Sequence, residues 1–387
     1  MIKPFLCDAS GNTNSSQPVN TLDTQSTFHI NRRGVDVGWI VMAGFEPEPV
    51  VPALSVDESA AWKSNKPLLL PAYLADSLNE YSTHIQTSQT LYQEILGGKE
   101  VDELLDQPEY MTRLGDRFEI LSTRFDEADR QELISVDFDA LADGELAFED
   151  IWMRVSWLSF LENEESLRFR FSFGMEGFDD VSLDLERQLV AAELCDRIFP
   201  ESGVICDNGK LKNLIKDIAD INDFHYLERI VYYNAKDGGA QFHHDAEKGH
   251  LGVVYAQLTG QTLWFALSKR ELISEIQKFL SDTENQAELK TVVKESSGYE
   301  NVLKMETDLD LLKSVLDDPS NDEISELLNE SPRFFAQMMQ TDHVYILKPG
   351  DVILLPQESM ESCAWHSVFC LGDEAGQALS FAIKRIE

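Results

Sequence analysis

The sequence predicts an α+β protein: a largely helical N-terminal region with a few strands, followed by a β-rich C-terminal region that a helical insertion interrupts. Three observations carry this. Apolar residues recur at helical spacing in segments before residue 222. From Glu228 onward short runs of β-branched and aromatic residues take over, separated by turn residues. Between two of those runs a capping box opens a long stretch of helical sequence.

Residues 8 to 27 are rich in Ser, Asn, Thr and Gln and read as a polar lead-in. "VDVGWIVMAGF" (35 to 45) has strand character, and "EPEPVVP" (46 to 52) ends regular structure because its prolines lack backbone donors. From Asp76 a helix places Leu78, Tyr81, Ile85, Tyr92 and Ile95 on one face and stops at Gly97-Gly98. Residues 100 to 165 read as mainly helical and acidic, with an aromatic cluster in "DIWMRVSWLSF". "LRFRFSFG" (167 to 174) alternates Leu167, Phe169, Phe171 and Phe173 with Arg168, Arg170 and Ser172, the period of a strand with one apolar face. A helix from about Leu183 to Ile198 ends before Pro200.

The runs "RIVYYNA", "LGVVYAQLT", "QTLWFALS", "HVYILKPGDVILLP" and "QALSFAIKRI" then read as strands. After Leu267 the segment "SKRE", a capping box of Ser268 with Glu271, opens helices that occupy residues 269 to 341. The β pattern resumes beyond them, so they read as an insertion between two strands. The expected division is residues 1–222 packing on or completing the β structure, and residues 223–387 forming a β-rich unit that carries the insertion.

Composition bounds the partners. With 69 acidic against 32 basic residues the formal charge is −37, which repels phosphate backbones and anionic headgroups, so neither nucleic acid nor membrane is expected as a partner. The acid excess serves solubility, with a slight lean toward cationic ligands. Five cysteines, odd in number, scattered and without a CxxC pair, read as reduced thiols. No apolar h-region and no run of about 18 uncharged apolar residues is present, so the expectation is a cytoplasmic protein.

The chemistry concentrates in "GGAQFHHDAEKGH" (238 to 250), which holds three of the eight histidines. In a strand, His243 and Asp245 project to one face and His244 to the other, so HxD forms a two-ligand clip. A third ligand comes from "KPGDVILLPQESMESCAWHSVF", which offers His366. Two histidines and a carboxylate on one side of a metal leave coordination positions open, as in non-haem Fe(II) oxygenases. His250 reads as an ordinary polar residue that could reach the site only as an outer or substrate-binding group, and Trp264 as pocket wall or barrel filling, while His29, His84, His225 and His343 have no partner at ligand spacing and read as structural.

"FHHDAEKGHLGVVYAQLTGQTLWFAL", followed by "PGDVILLP…AWHSV" and "ALSFAIK", resembles the jumonji-C or cupin-like Fe(II)- and 2-oxoglutarate-dependent oxygenases over roughly residues 228 to 387. The resemblance implies a double-stranded β-helix (jelly-roll) barrel and iron held by His243, Asp245 and His366, with 2-oxoglutarate chelating that iron. Tyr255 falls where an aromatic residue lines the cosubstrate pocket. Thr262 falls where these enzymes place the lysine that takes the distal carboxylate of 2-oxoglutarate. A buried carboxylate needs a cation, and Lys384, at the end of the small, polar face of Ala378, Ser380 and Ala382, is the expected one. Thr262 and Ser380 would be its hydrogen-bonding companions, and Arg168, Arg170 and Arg385 the reserves.

The implied activity is hydroxylation of a C–H bond, in a small molecule such as an amino acid or natural-product intermediate ahead of a protein side chain. The N-terminal half and the insertion would serve as recognition surfaces or a homodimer interface. An Fe(II) oxygenase independent of 2-oxoglutarate, a metal-binding cupin with a non-oxidative reaction, and a non-enzymatic scaffold stay open beside it.

Overall fold

The computed structural model describes residues 5–7, 27–32, 35–41, 56–124, 132–158, 165–174, 184–294, 296–318 and 321–386. The polar lead-in and the proline-rich stop at 46 to 52 lie outside these, apart from residue 27 at a strand start. In chain order the strands are β1 (Phe5–Cys7), β2 (Thr27–Arg32), β3 (Val35–Val41), β4 (Leu68–Leu70), β5 (Phe118–Arg124), β6 (Glu132–Ala142), β7 (Glu145–Trp157), β8 (Leu167–Phe173), β9 (Phe224–Asn234), β10 (His250–Gln257), β11 (Gln261–Ser268), β12 (Val344–Leu347), β13 (Val352–Pro356), β14 (Ala364–Leu371) and β15 (Gly376–Arg385).

Strands β1 to β3 make a small sheet of their own. The others form a nine-stranded sheet in the order β4-β13-β10-β15-β9-β8-β7-β6-β5 and a three-stranded sheet in the order β12-β11-β14. Every pairing is antiparallel. The molecule is thus a mixed helix and antiparallel-sheet protein. No closed barrel is found among the described residues: the two sheets stay separate and pack face to face through Val253, Tyr255, Ile353 and Ala378 of the large one and Trp264, Ala266, Leu347 and Val368 of the small one. No described helix is long and apolar enough to cross a membrane.

The large sheet carries its other apolar face against N-terminal helices. Phe169, Val231 and Phe381 pack there with Leu91, Leu104, Leu194 and Ile215. The helix expected from Asp76 is broken at Tyr81 into Ala75–Glu80 and Ser82–Leu96, and it ends at Gly97 as the sequence predicts. The helix Leu185–Ile198 takes its cap from Asp184, which accepts from the Arg187 amide. The capping box of Ser268 and Glu271 forms and opens Lys269–Leu280. This and the following helices, to Met338, bury Leu272, Ile276, Phe279 and Phe334 against the outer face of the small sheet, where Leu263, Phe265, Phe369 and Leu371 lie. The insertion therefore backs the strand that holds His366.

One expectation fails. Residues 100 to 165 are not mainly helical: after short helices at Val101–Leu105 and Pro108–Leu114 the chain forms β5, β6 and β7. The physical reason is a period of two in Ile134, Val136, Phe138 and Ala140, all buried, between Asp137 and Asp139. Those three strands extend the large sheet through β8, whose Leu167 to Arg170 pair with Tyr233 to Ile230 of β9. Asp351 of the Lys-Pro-Gly-Asp turn ties the two halves again, its carboxylate accepting from the amides of Ala72 and Lys348 at 2.6 and 2.7 Å.

Two local features shape the site. In β9 the pairing to β15 shifts between Ser380 and Ala382, and Glu228 there adopts φ +45°. This bulge keeps Phe224 and Tyr226 before it, and Val231 and Tyr233 after it, in the same core despite the change of parity. Residues 238 to 243 run beside β14: Ala240 and Val368 exchange both backbone bonds at 3.1 and 2.8 Å, and the Cys370 amide donates to Gly238 at 3.2 Å. Gly239 makes that approach feasible, with φ +127° and room for no side chain, since a Cβ would lie 2.1 Å from the Val368 carbonyl oxygen. Gly239→Ala is expected to destabilise the protein by about 2 kcal/mol or more, measured as a lowered denaturant midpoint at unchanged slope.

Candidate metal centre

The site begins with a backbone event. His243 and His366 form an isolated antiparallel bridge, with the His243 amide donating to the His366 carbonyl at 3.0 Å and the reverse bond at 2.9 Å. Directly opposed residues of a ladder share a face, so the two imidazoles meet, ring centroids 4.1 Å apart. Beyond His243 the chain leaves the ladder. Asp245 thus reaches the same point from a loop rather than from the regular strand expected of the HxD clip. Its Oδ1 lies 3.5 Å from His243 Nε2 and its Oδ2 3.5 Å from His366 Nε2. One ligand atom from each of the three residues falls within 4.8 Å of the others.

The donor set suits a divalent cation. His243 Nδ1 sits 2.7 Å from the Gln241 carbonyl oxygen, so that nitrogen donates and Nε2 keeps its lone pair toward Asp245. Burial, and then the neighbouring His243, push the His366 pKa down to about 3, so the ring is a neutral donor. Burial works against the Asp245 charge, yet attraction to the neighbouring His366 and His243 outweighs it and holds the carboxyl well below the usual range. Two imidazoles and a carboxylate on one side, with a cavity on the other, are the donors of a facial His-Asp-His set that would leave positions on a metal open. His244 turns away, its ring 5.1 Å from Trp365 in an edge contact, as the sequence predicts.

The cavity in front of the triad measures about 310 Å³. The large sheet supplies Arg168, Tyr232, Asn234, Tyr255 and Ser380. The small-sheet side supplies Gly239 to His243, Trp264 and Val368, and Trp157 and Leu158 close one wall. Trp264 stacks on His366 at 5.4 Å, and its Nε1 donates to Thr262 Oγ1 at 2.9 Å. Asn234 Nδ2 donates to the Tyr255 hydroxyl at 3.2 Å. Burial first of all pushes the Tyr255 and Tyr232 pKa values up, that of Tyr232 to about 12, so both phenols stay protonated hydrogen-bond donors.

Of the residues the sequence analysis assigned to the cosubstrate, Tyr255 and Ser380 line the cavity, while Thr262 and Lys384 do not. Thr262 is fully buried, and its hydroxyl donates to Gln257 Oε1 at 2.9 Å while holding Trp264; it supports the wall from behind. Lys384 donates to Gln188 Oε1 at 3.0 Å and pairs with His225 and His250, beyond the cavity's end. The cation that does line the cavity is Arg168, placed there because β8 pairs with β9 and brings it opposite Tyr232, with its Nε 3.3 Å from Ser156 Oγ. Asn234 and Tyr232 escaped the sequence reading, although their alternation with Val231 and Tyr233 in "RIVYYNA" sets them on one face.

No family model and no curated protein matches the chain. Solved structures that it resembles include an oxidoreductase of the 2OG-Fe(II) oxygenase family from Burkholderia pseudomallei, at 12% identity, with 89% of this chain and 95% of that one covered and a TM-score of 0.30. Escherichia coli ycfD is another, at 12% identity, 87% and 54% coverage and a TM-score of 0.29. YcfD described as a ribosomal oxygenase in complex with cobalt and succinic acid gives 12%, 73% and 52%, and 0.26. This chain spans about half the length of those YcfD chains.

Asp245→Ala is expected to weaken Co(II) binding by well over ~100-fold, more than the loss of an outer residue costs, whereas His244→Ala stays within about 3-fold of the parent. Calorimetric titration of the two variants with the metal alone checks both.

Proposed function

We propose that this chain is an Fe(II)- and 2-oxoglutarate-dependent oxygenase that hydroxylates a C–H bond of a small molecule. The observation that carries the reading is the meeting of His243, Asp245 and His366 on the wall of a cavity in which Arg168 supplies a cation. The strand path supports it: β9, the 238–243 segment, β10 and β11 alternate between the large and small sheets, as do β12, β13, β14 and β15. We read that alternation as a double-stranded β-helix in sandwich form, extended at one edge by β8 to β5. The cavity volume stands at the low end of the range for small-molecule sites.

Bound at the triad, Fe(II) with 2-oxoglutarate would supply the reduction of O₂ that oxidises a C–H bond, with succinate and CO₂ as co-products. The protein's part is positioning. His243, Asp245 and His366 hold one face of the ion and leave the cavity face free. Arg168 takes the distal carboxylate of the cosubstrate, in place of the lysine absent at position 262, through a charge-assisted bond at the cavity wall. The Tyr255 and Ser380 hydroxyls are its hydrogen-bonding companions. Trp157, Leu158, Phe242 and Trp264 present apolar surface that excludes water from the reacting carbon.

The threonine at 262 favours a second reading, an Fe(II) oxygenase without 2-oxoglutarate, and one experiment separates the two. Anaerobic addition of Fe(II) and then 2-oxoglutarate is expected to raise the weak visible band of the chelate. If iron binds and no band develops, the cosubstrate assignment falls. Arg168→Met should raise the Kd for 2-oxoglutarate about 10- to 100-fold with metal binding intact, because a hydrogen bond to a charged group contributes roughly 1.5–3 kcal/mol. Lys384→Met should leave the Kd for 2-oxoglutarate unchanged.

A further inference from the structure

A second convergence of side chains lies along the same face of the large sheet, past the end of the cavity. Glu228, Glu247 and His250 bring one ligating atom each within 4.8 Å. His250, the first residue of β10, is nearly fully buried, and its Nε2 lies 2.9 Å from Glu228 Oε1. Arg170 favours the charge of both glutamates, while Lys384 opposes a charge on His250. What the group does follows from where its members sit in the chain.

The loop bearing Asp245 is fixed at one end by the mutual backbone bonds of His243 and His366. Its other end is His250, whose amide donates to the Glu247 carbonyl at 3.1 Å and whose ring contacts Glu228. Glu228 is the extra residue of the β9 bulge, at φ +45°, a conformation that glutamate adopts only against steric strain and that glycine adopts freely. A strained residue whose side chain anchors the end of a ligand loop is an economical arrangement only if the anchor has work to do.

We propose that the Glu228–His250 pair is a positioning device that holds the loop so that the Asp245 carboxylate faces both imidazoles. The inference rests on the metal-centre reading above. Glu228 and His250 touch neither the ion nor substrate; they act through the loop.

The strain gives a test that separates positioning from mere stability. In the full chain, Glu228→Gly removes the anchor and relaxes the backbone at once. The metal-free variant is expected to melt at or above the temperature of the parent, while its Kd for Co(II) alone rises about 10-fold or more, the usual effect of losing an outer partner of a metal ligand. Glu228→Gln keeps an acceptor for the ring and should lose less than Glu228→Gly. Equal Co(II) affinity in the parent and Glu228→Gly overturns the proposal, as does a fall in stability that parallels the fall in affinity. Failure of the parent chain to take up Co(II) removes the metal centre itself, a result distinct from either.

Discussion

Two backbone hydrogen bonds, exchanged between His243 and His366, set the site on which the function would rest. Because opposed residues of a ladder share a face, the bonds bring together two rings that sequence distance alone would never pair. Each partner is then stiffened from behind. Strand β14, which bears His366, pairs with β11 along its length and packs on its outer face against the insertion. Trp264 of β11 stacks on the His366 ring and is itself held by Thr262. Position 262 thus helps to fix a candidate ligand rather than a cosubstrate.

Much of this was legible in the sequence. The helix stop at Gly97, the helix that ends before Pro200, the Ser268–Glu271 box, the insertion and the strands on either side of it are local signals, and local chemistry governs them. The candidate ligands His243, Asp245 and His366 were legible as residue types in a strand-rich context. Strands β5, β6 and β7 were not: the alternation of Ile134, Val136, Phe138 and Ala140 was masked by the acids among them. Nor was the cavity's cation. "LRFRFSF" shows that Arg168 and Arg170 leave the apolar face, but only the register of β8 on β9 decides that this face looks into a cavity rather than into water. Lys384 fails for the converse reason. Its parity points the right way, and its distance along β15 carries it past the cavity to Gln188.

The N-terminal half is therefore part of the site's construction. It supplies β8 with Arg168 and Trp157 of the wall, and through β4 it covers the β13 edge of the large sheet, an edge that would otherwise invite pairing with another chain. Asp351, accepting from Ala72, fixes that cover to the turn before β13.

The placement of the insertion also has a consequence in time. It stands in the chain between His243 and His366, and Ala72 and Asp351 are 279 residues apart. Closing such long loops costs entropy before any contact rewards it, and topologies rich in distant pairings fold slowly. A chain emerging from the ribosome must deliver the whole helical insertion after His243 and Asp245 and before His366, so the candidate metal centre can be completed only once that insertion has been made.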